Sequence, residues 1–185
     1  EIMLASGRVG PVVTNVSTTT AVERVASRHG AAVVRTPVGQ AYISEAIVEH
    51  RAAIGGEGNG SVAIAAVHPT HDAAAAIVFI LEHLARGGRP LSAVVAELPR
   101  LAVVKEQIAI EPHLIYSALQ AFRDGLPEGG GYTVELVDGI KVEWPDGWVH
   151  VRASNTESII RVIAEAAGEA RARELADWAR DHLPL

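Results

Sequence analysis

Apolar positions along the chain follow two different rhythms, and the change falls near residue 100. Pro11 to Val16 is a short β-branched run. It is followed by the polar Ser17-Thr18-Thr19-Thr20 and then by Ala21 to Ala26, whose apolar spacing is helical and whose stop signal is Gly30. Ala31 to Arg35 reads as a second strand and Tyr42 to His50 as a second helix, the alternation of layered α/β folds. Gly55-Gly56-Glu57-Gly58-Asn59-Gly60 reads as a glycine-rich loop, after which Ser61 to Val67 resumes as an apolar strand. His68-Pro69-Thr70-His71 reads as a loop. Asp72 is placed to cap a helix running to about Arg86 and ended by Gly87-Gly88, and Ser92 to cap a short helix before Pro99. The Ala-Ile-Leu stripe from Ala73 to Leu84 reads as core packing.

Beyond Leu101 the alternation ends. Leu101 to Ile110 is strand-like, Pro112 to Asp124 is helical with proline in its first turn, and Gly129-Gly130-Gly131 breaks the chain. Tyr132 to Val137, Ile140 to Trp144 and Trp148 to Ala153 are joined by Asp138-Gly139 and Pro145-Asp146-Gly147, which are hairpin and turn signals. Ile159 to Ala164 extends this meander, and Glu169 to His182 closes it with an amphipathic helix. Two domains are therefore expected. Residues 1–100 form an α/β layer, a mixed sheet with helices on both faces; residues 101–185 form a small α+β domain with an antiparallel sheet and helices.

Composition narrows the functions this architecture can serve. The chain has 185 residues, enough for two small cores, and 49% hydrophobic with 21% charged residues is a globular balance. A net charge of −6 argues against a broad nucleic-acid or anionic-membrane surface and leaves room only for a local anion site. With no cysteine there is no disulfide framework and no cysteine-ligated metal, which fits a cytoplasmic setting. No signal peptide or membrane span is read, and the absence of an initial Met fits an excised or truncated piece.

Two loops carry candidate chemistry. In Arg152-Ala153-Ser154-Asn155-Thr156-Glu157, arginine supplies a planar donor fork for phosphate oxygens, and hydroxyls and backbone N–H groups add further donors. The same residues also suit an ordinary polar turn. In Gly56-Glu57-Gly58-Asn59-Gly60, Glu57 and Asn59 pair an acceptor with a donor, as vicinal sugar hydroxyls require, while an acidic turn is the plainer reading. This segment has neither the Lys-Ser/Thr ending of a P-loop nor Rossmann spacing. His68 and His71 lack the carboxylate array of a metal site and read as solvated or capping residues. No nucleophile elbow, Asp-x-Asp-x-Asp loop or basic aromatic stripe occurs.

Taken in order, Thr36-Pro37-Val38-Gly39, Gly55 to Gly60, the Asp72 helix with Leu91-Ser92 and Leu98-Pro99, and Arg152 to Glu157 resemble the third and fourth domains of the α-D-phosphohexomutases. The resemblance covers nearly the whole chain. It implies one half of a four-domain enzyme that interconverts hexose 1-phosphate and hexose 6-phosphate by phosphoryl transfer. It places Glu57 and Asn59 on sugar-contacting positions and Arg152, Ser154, Asn155 and Thr156 on phosphate-gripping ones. Magnesium and a hexose bisphosphate intermediate are implied for the full-length enzyme, with no cofactor on this chain. The implied partners are a hexose phosphate and the N-terminal catalytic domains of the same enzyme, with no nucleic acid and no membrane. Neither the phosphoserine loop nor the Asp-rich metal loop occurs in the 185 residues, so no catalytic residue is assigned here and the chain alone is expected to be inert. Asn59 stands where many members have Ser, so the sugar's identity is open; Ser61 stands where some members carry a His, His71 where Arg is usual and Ser158 where Pro is common, so no proton-transfer residue is carried over. A stand-alone sugar-phosphate binding or regulatory module is the alternative, and a two-domain interaction protein whose loops are only turns is a third.

Overall fold

Ten strands form two separate five-stranded sheets in the computed structural model, which describes residues 1–7 and 10–184. Each sheet belongs to its own unit, Glu1–Arg100 and Leu101–Leu185.

In the first unit the strands are β1 (Val12–Asn15), β2 (Val33–Thr36), β3 (Ile54–Gly56), β4 (Val62–Ile64) and β5 (His68–His71), in the order β2-β1-β3-β4-β5. β1 runs parallel to β2 and β3, while β4 and β5 are antiparallel additions, so the sheet is mixed. Helix α1 is Ile2–Ala5, α2 Ala21–Arg28, α3 Gln40–Glu49, α4 Ala73–Gly87 and α5 Leu91–Ala96. The β1-α2-β2 and β2-α3-β3 crossovers move in opposite directions along the sheet. Right-handed connections therefore put α2 and α3 on opposite faces. Val13, Ile43, Ala46, Ile47, Ala52 and Ala63 form the core beneath α3, where each buried isoleucine stabilises by about 1.5–3 kcal/mol. Gly55 faces this helix, and a Cβ there would meet Ile47 Cδ1 at 2.7 Å and Ile43 Cγ2 at 2.8 Å. The close approach of α3 to β3 thus requires glycine.

Several sequence expectations are corrected in this unit. Part of the glycine-rich stretch is strand β3, because Gly55 and Gly56 pair with β1 on one side and β4 on the other. His68–His71 is an edge strand rather than a loop, a place where Pro69 loses no ladder hydrogen bond it needs. Helix α3 begins at Gln40 rather than Tyr42, and α5 begins at Leu91, so Ser92 lies inside it with Pro90 at the N-cap. Asp72 does cap α4, accepting Ala75 N–H at 2.9 Å, and Gly88 ends it at φ 60°. The α4 stripe is not core packing: none of its residues is buried, and Ile77, Val78 and Leu81 are each more than half exposed. The helix is apolar on most of its circumference, and one face suffices for its packing on β4 and α1.

The second unit has β6 (Ala102–Ala109), β7 (Thr133–Glu135), β8 (Ile140–Trp144), β9 (Gly147–Ala153) and β10 (Ile159–Ala166), ordered β6-β10-β9-β8-β7 and antiparallel throughout. A short 3-10 turn at Pro112–Leu114 leads into α6 (Ile115–Asp124), and α7 is Glu169–His182. One face of the sheet, with Val142, Val149, Val151, Val162 and Ala164, packs against Phe122 of α6 and Leu175, Ala176 and Ala179 of α7. Period-two alternation sends Trp148, His150 and Arg152 to the opposite face, where Lys141, His150, Arg152 and Glu165 are nonetheless buried.

Candidate functional site

Each unit carries one of the two candidate loops. In the first, Glu57 to Ser61 closes the β3–β4 hairpin: Glu57 N–H donates to Ser61 O at 3.1 Å and Gly60 N–H to Glu57 O at 3.0 Å, with Gly60 at φ 95°. A Cβ on Gly56 would lie 2.8 Å from Ser61 O. These glycines serve the hairpin. The Glu57 side chain is only 9% exposed and does not stand free in solvent. Its Oε1 accepts Asn15 Nδ2 at 2.8 Å, and its Oε2 lies 3.7 Å from His71 Nε2.

The loop is braced from β1. Asn15 Oδ1 accepts Ser17 N–H at 3.0 Å and the Thr18 hydroxyl at 2.8 Å, and Thr18 Oγ1 in turn accepts Gly58 N–H at 2.9 Å. Arg35 secures that turn from β2. It donates to the Asn15 and Thr18 carbonyls at 2.6 Å each and forms a two-pronged ion pair with Glu23 at 2.8 Å. Asn59 is exposed, and its Oδ1 accepts Ser61 N–H at 2.9 Å and the Ser61 hydroxyl at 2.5 Å. Its oxygen is thus occupied within the loop. Its Nδ2 has no hydrogen-bond partner among the described residues. Glu57 and Asn59 therefore share a loop but differ in kind: one is buried and braced, the other is at the rim.

The second loop joins β9 to β10. Ser154 N–H donates to Ile159 O at 3.0 Å and Ile159 N–H to Glu157 O at 2.9 Å, which closes a tight polar turn with Asn155 and Thr156 exposed at its tip. Arg152 is 6% exposed, and its Nη2 donates to Asn155 Oδ1 at 3.0 Å. Its Nε lies 3.3 Å from Asp138 Oδ2, close enough for charge pairing but not aligned as a hydrogen bond. The structure thus brings Arg152, Ser154, Asn155 and Thr156 together, and Glu57 with Asn59.

Sequence reasoning missed Asp138 and Arg161 at the second loop, and Asn15, Thr18 and His71 at the first. Arg161 is the direct cross-strand partner of Arg152, and its Nη2 pairs with Glu157 Oε2 at 2.5 Å. Two arginines placed opposite each other repel, so Asp138 and Glu157 offset a local excess of positive charge. Gly139 lets Asp138 approach: a Cβ there would lie 2.6 Å from Arg152 Cβ, and Gly139 has φ 68°. His150, behind Arg152 on the same face of β9, gives its ring nitrogen to Asp138 O. Burial pushes its imidazole from 6.5 down to about 4. The Asp138 hydrogen bond and charge oppose that shift, while Arg152 and Lys141 reinforce it. At neutral pH His150 adds no charge beside the arginine. The signal for Arg161 was in the sequence, since the hairpin turn between Arg152 and Arg161 sets them in register.

A mixed α/β sheet followed by an antiparallel sheet with helices is the fold of solved phosphoglucomutase/phosphomannomutase family proteins. The chain belongs to the phosphoglucomutase/phosphomannomutase family: residues 2–101 match its alpha/beta/alpha domain III and residues 90–182 its C-terminal domain. It is 38% identical over 174 residues to a phosphoglucomutase/phosphomannomutase of Thermococcus kodakarensis, covering 94% of this chain and 38% of the relative. It is 38% identical over 168 residues to a probable phosphoglucosamine mutase of Methanopyrus kandleri, covering 91% and 37%. The fold is also that of a phosphoglucomutase/phosphomannomutase family protein from Burkholderia thailandensis, with TM-score 0.82, 24% identity and coverage of 97% of this chain and 38% of that one. The chain thus spans well under half the length of these relatives. Among the described residues no helix is long and apolar enough to cross a membrane, and no group of three or more His, Asp or Glu side chains could hold a metal ion.

Proposed function

We propose that the chain is the substrate-binding C-terminal portion of a phosphohexomutase that interconverts hexose 1-phosphate and hexose 6-phosphate by phosphoryl transfer. Glu57 and Asn59 bind sugar hydroxyls, and Arg152, Ser154, Asn155 and Thr156 grip the phosphate that is not being transferred, with Arg161 as a second cation. The observation that carries this reading is the pairing of Arg152 with Arg161 beside the Ser154–Thr156 turn, two guanidinium groups whose mutual repulsion a phosphate dianion relieves. Family membership and the buried, braced Glu57 carboxylate support the sugar role. In this reading magnesium, the phosphoserine and the hexose bisphosphate are supplied by the full-length enzyme, whose setting is cytoplasmic. This chain contributes orientation and electrostatic complementarity.

The test is calorimetric titration of glucose 1-phosphate into the chain and its Arg152→Lys variant. Lysine keeps the charge beside Asp138 but loses the planar fork, so affinity should fall about tenfold. Equal affinities would reject the phosphate grip. A mutase assay on the chain with magnesium and a bisphosphate primer should show no turnover.

A further inference from the structure

His71 Nε2 is buried, has no hydrogen-bond partner among the described residues, and lies 3.7 Å from Glu57 Oε2. The ring sits on β5, the edge strand, in register with Ala63 of β4, and so approaches the β3–β4 loop from the side opposite Asn15 on β1. The carboxylate is thus flanked by two donors-in-waiting, one bonded at 2.8 Å and one not yet closed. Both partners are costly as they stand. A nearly buried carboxylate with a single side-chain donor retains a desolvation penalty, and so does a sealed ring nitrogen that water cannot reach. A small movement of either side chain would satisfy both.

We propose that His71 is a positioning residue for Glu57, and this rests on the reading of Glu57 as a sugar ligand. With the hydrogen on Nε2, the imidazole closes onto Oε2 when a sugar hydroxyl engages the carboxylate. Asn15 on Oε1 and His71 on Oε2 then fix the plane of the group, so that its remaining lone pairs point where the hydroxyls arrive. His71 does not touch the sugar. Its contribution is to hold the carboxylate in one orientation.

Two measurements separate this inference from the reading beneath it. Long-range 15N spectra of the imidazoles, with His71 assigned through His71→Phe, report the 3.7 Å approach of the Glu57 carboxylate to the ring without any ligand. The His71 Nε2 resonance should move when Glu57→Gln is introduced, and an unmoved resonance would overturn the proposal. Glucose 1-phosphate titrations then compare the chain with His71→Phe, His71→Gln and Glu57→Gln. His71→Phe should weaken binding about tenfold. His71→Gln, whose amide can still donate, should stay within about threefold of the unsubstituted chain. The melting temperature of His71→Phe should not fall below that of the unsubstituted chain, because the ring nitrogen supports no bond in the free fold. Weakened binding by Glu57→Gln with unchanged binding by His71→Phe would defeat the positioning role. Unchanged binding by Glu57→Gln would instead remove the sugar reading, and the ligand-free spectra would still decide whether His71 addresses Glu57.

Discussion

The two candidate loops present polar groups in opposite ways. The Glu57 loop is held by hydrogen bonds from neutral groups, with Asn15 on the carboxylate and Thr18 on the Gly58 amide. The Arg152 loop is held by balanced charge, with Asp138 against Arg152 and Glu157 against Arg161. Hydrogen-bond bracing fixes direction and is little affected by salt. Charge balance fixes field strength and depends on every partner being present and correctly protonated. Under the proposed function, the first arrangement serves to read the placement of hydroxyls and the second to hold a dianion.

Removing one partner from each loop should expose this difference most strongly. Arg152→Ala leaves Asp138, only 20% exposed, without its counter-charge, and should lower unfolding stability in urea by about 3 kcal/mol, whereas Glu57→Gln keeps its shape and should lose less than about 1 kcal/mol. Equal losses would mean that the two loops are built alike.

The second test is pH. The His150 imidazole titrates at about 4 when folded and at 6.5 in its ordinary state, so between these values the unfolded chain binds a proton that the folded chain refuses. Stability is therefore full above pH 6.5 and falls as pH drops toward 4, by up to about 3 kcal/mol from this group. The difference in stability between the unsubstituted chain and His150→Gln, followed by denaturant titration across this range, should shrink as pH falls. A constant difference would show that burial does not control the group.

The smallest expected effect sharpens the charge-balance picture. Glu157→Gln frees Arg161 from an exposed pair and removes one negative charge, so affinity for inorganic phosphate should rise about twofold to fivefold. Unchanged affinity would place Arg161 outside the anion site.

Much of the fold was legible because periodicity carries it. The hairpins at Asp138-Gly139 and Asp146-Gly147, the Asp72 cap and the closing helix α7 all follow from local signals. Two of the misreadings share one cause, which is that tertiary pairing overrides local chemistry. Gly55 and Gly56 looked like loop residues but are strand because they pair with β1 on one side and β4 on the other. His68–His71 looked like a polar loop but completes the edge of a sheet. The α4 stripe looked like core because apolarity reports hydrophobic surface, not what covers it. At the sites, the residues named in advance lie in contiguous loops. Asn15, His71, Asp138 and Arg161 join them only through strand pairing, and a linear motif does not encode that.

Gly139 shows how far such a dependence reaches. It binds nothing and lies outside the anion loop, yet any side chain there would press on Arg152 and push away the carboxylate that balances it. In genetic terms, the proposed anion grip depends on a codon outside its own motif. Under that proposal an inherited change at residue 139 would show as a binding defect in a protein whose loop sequence is intact.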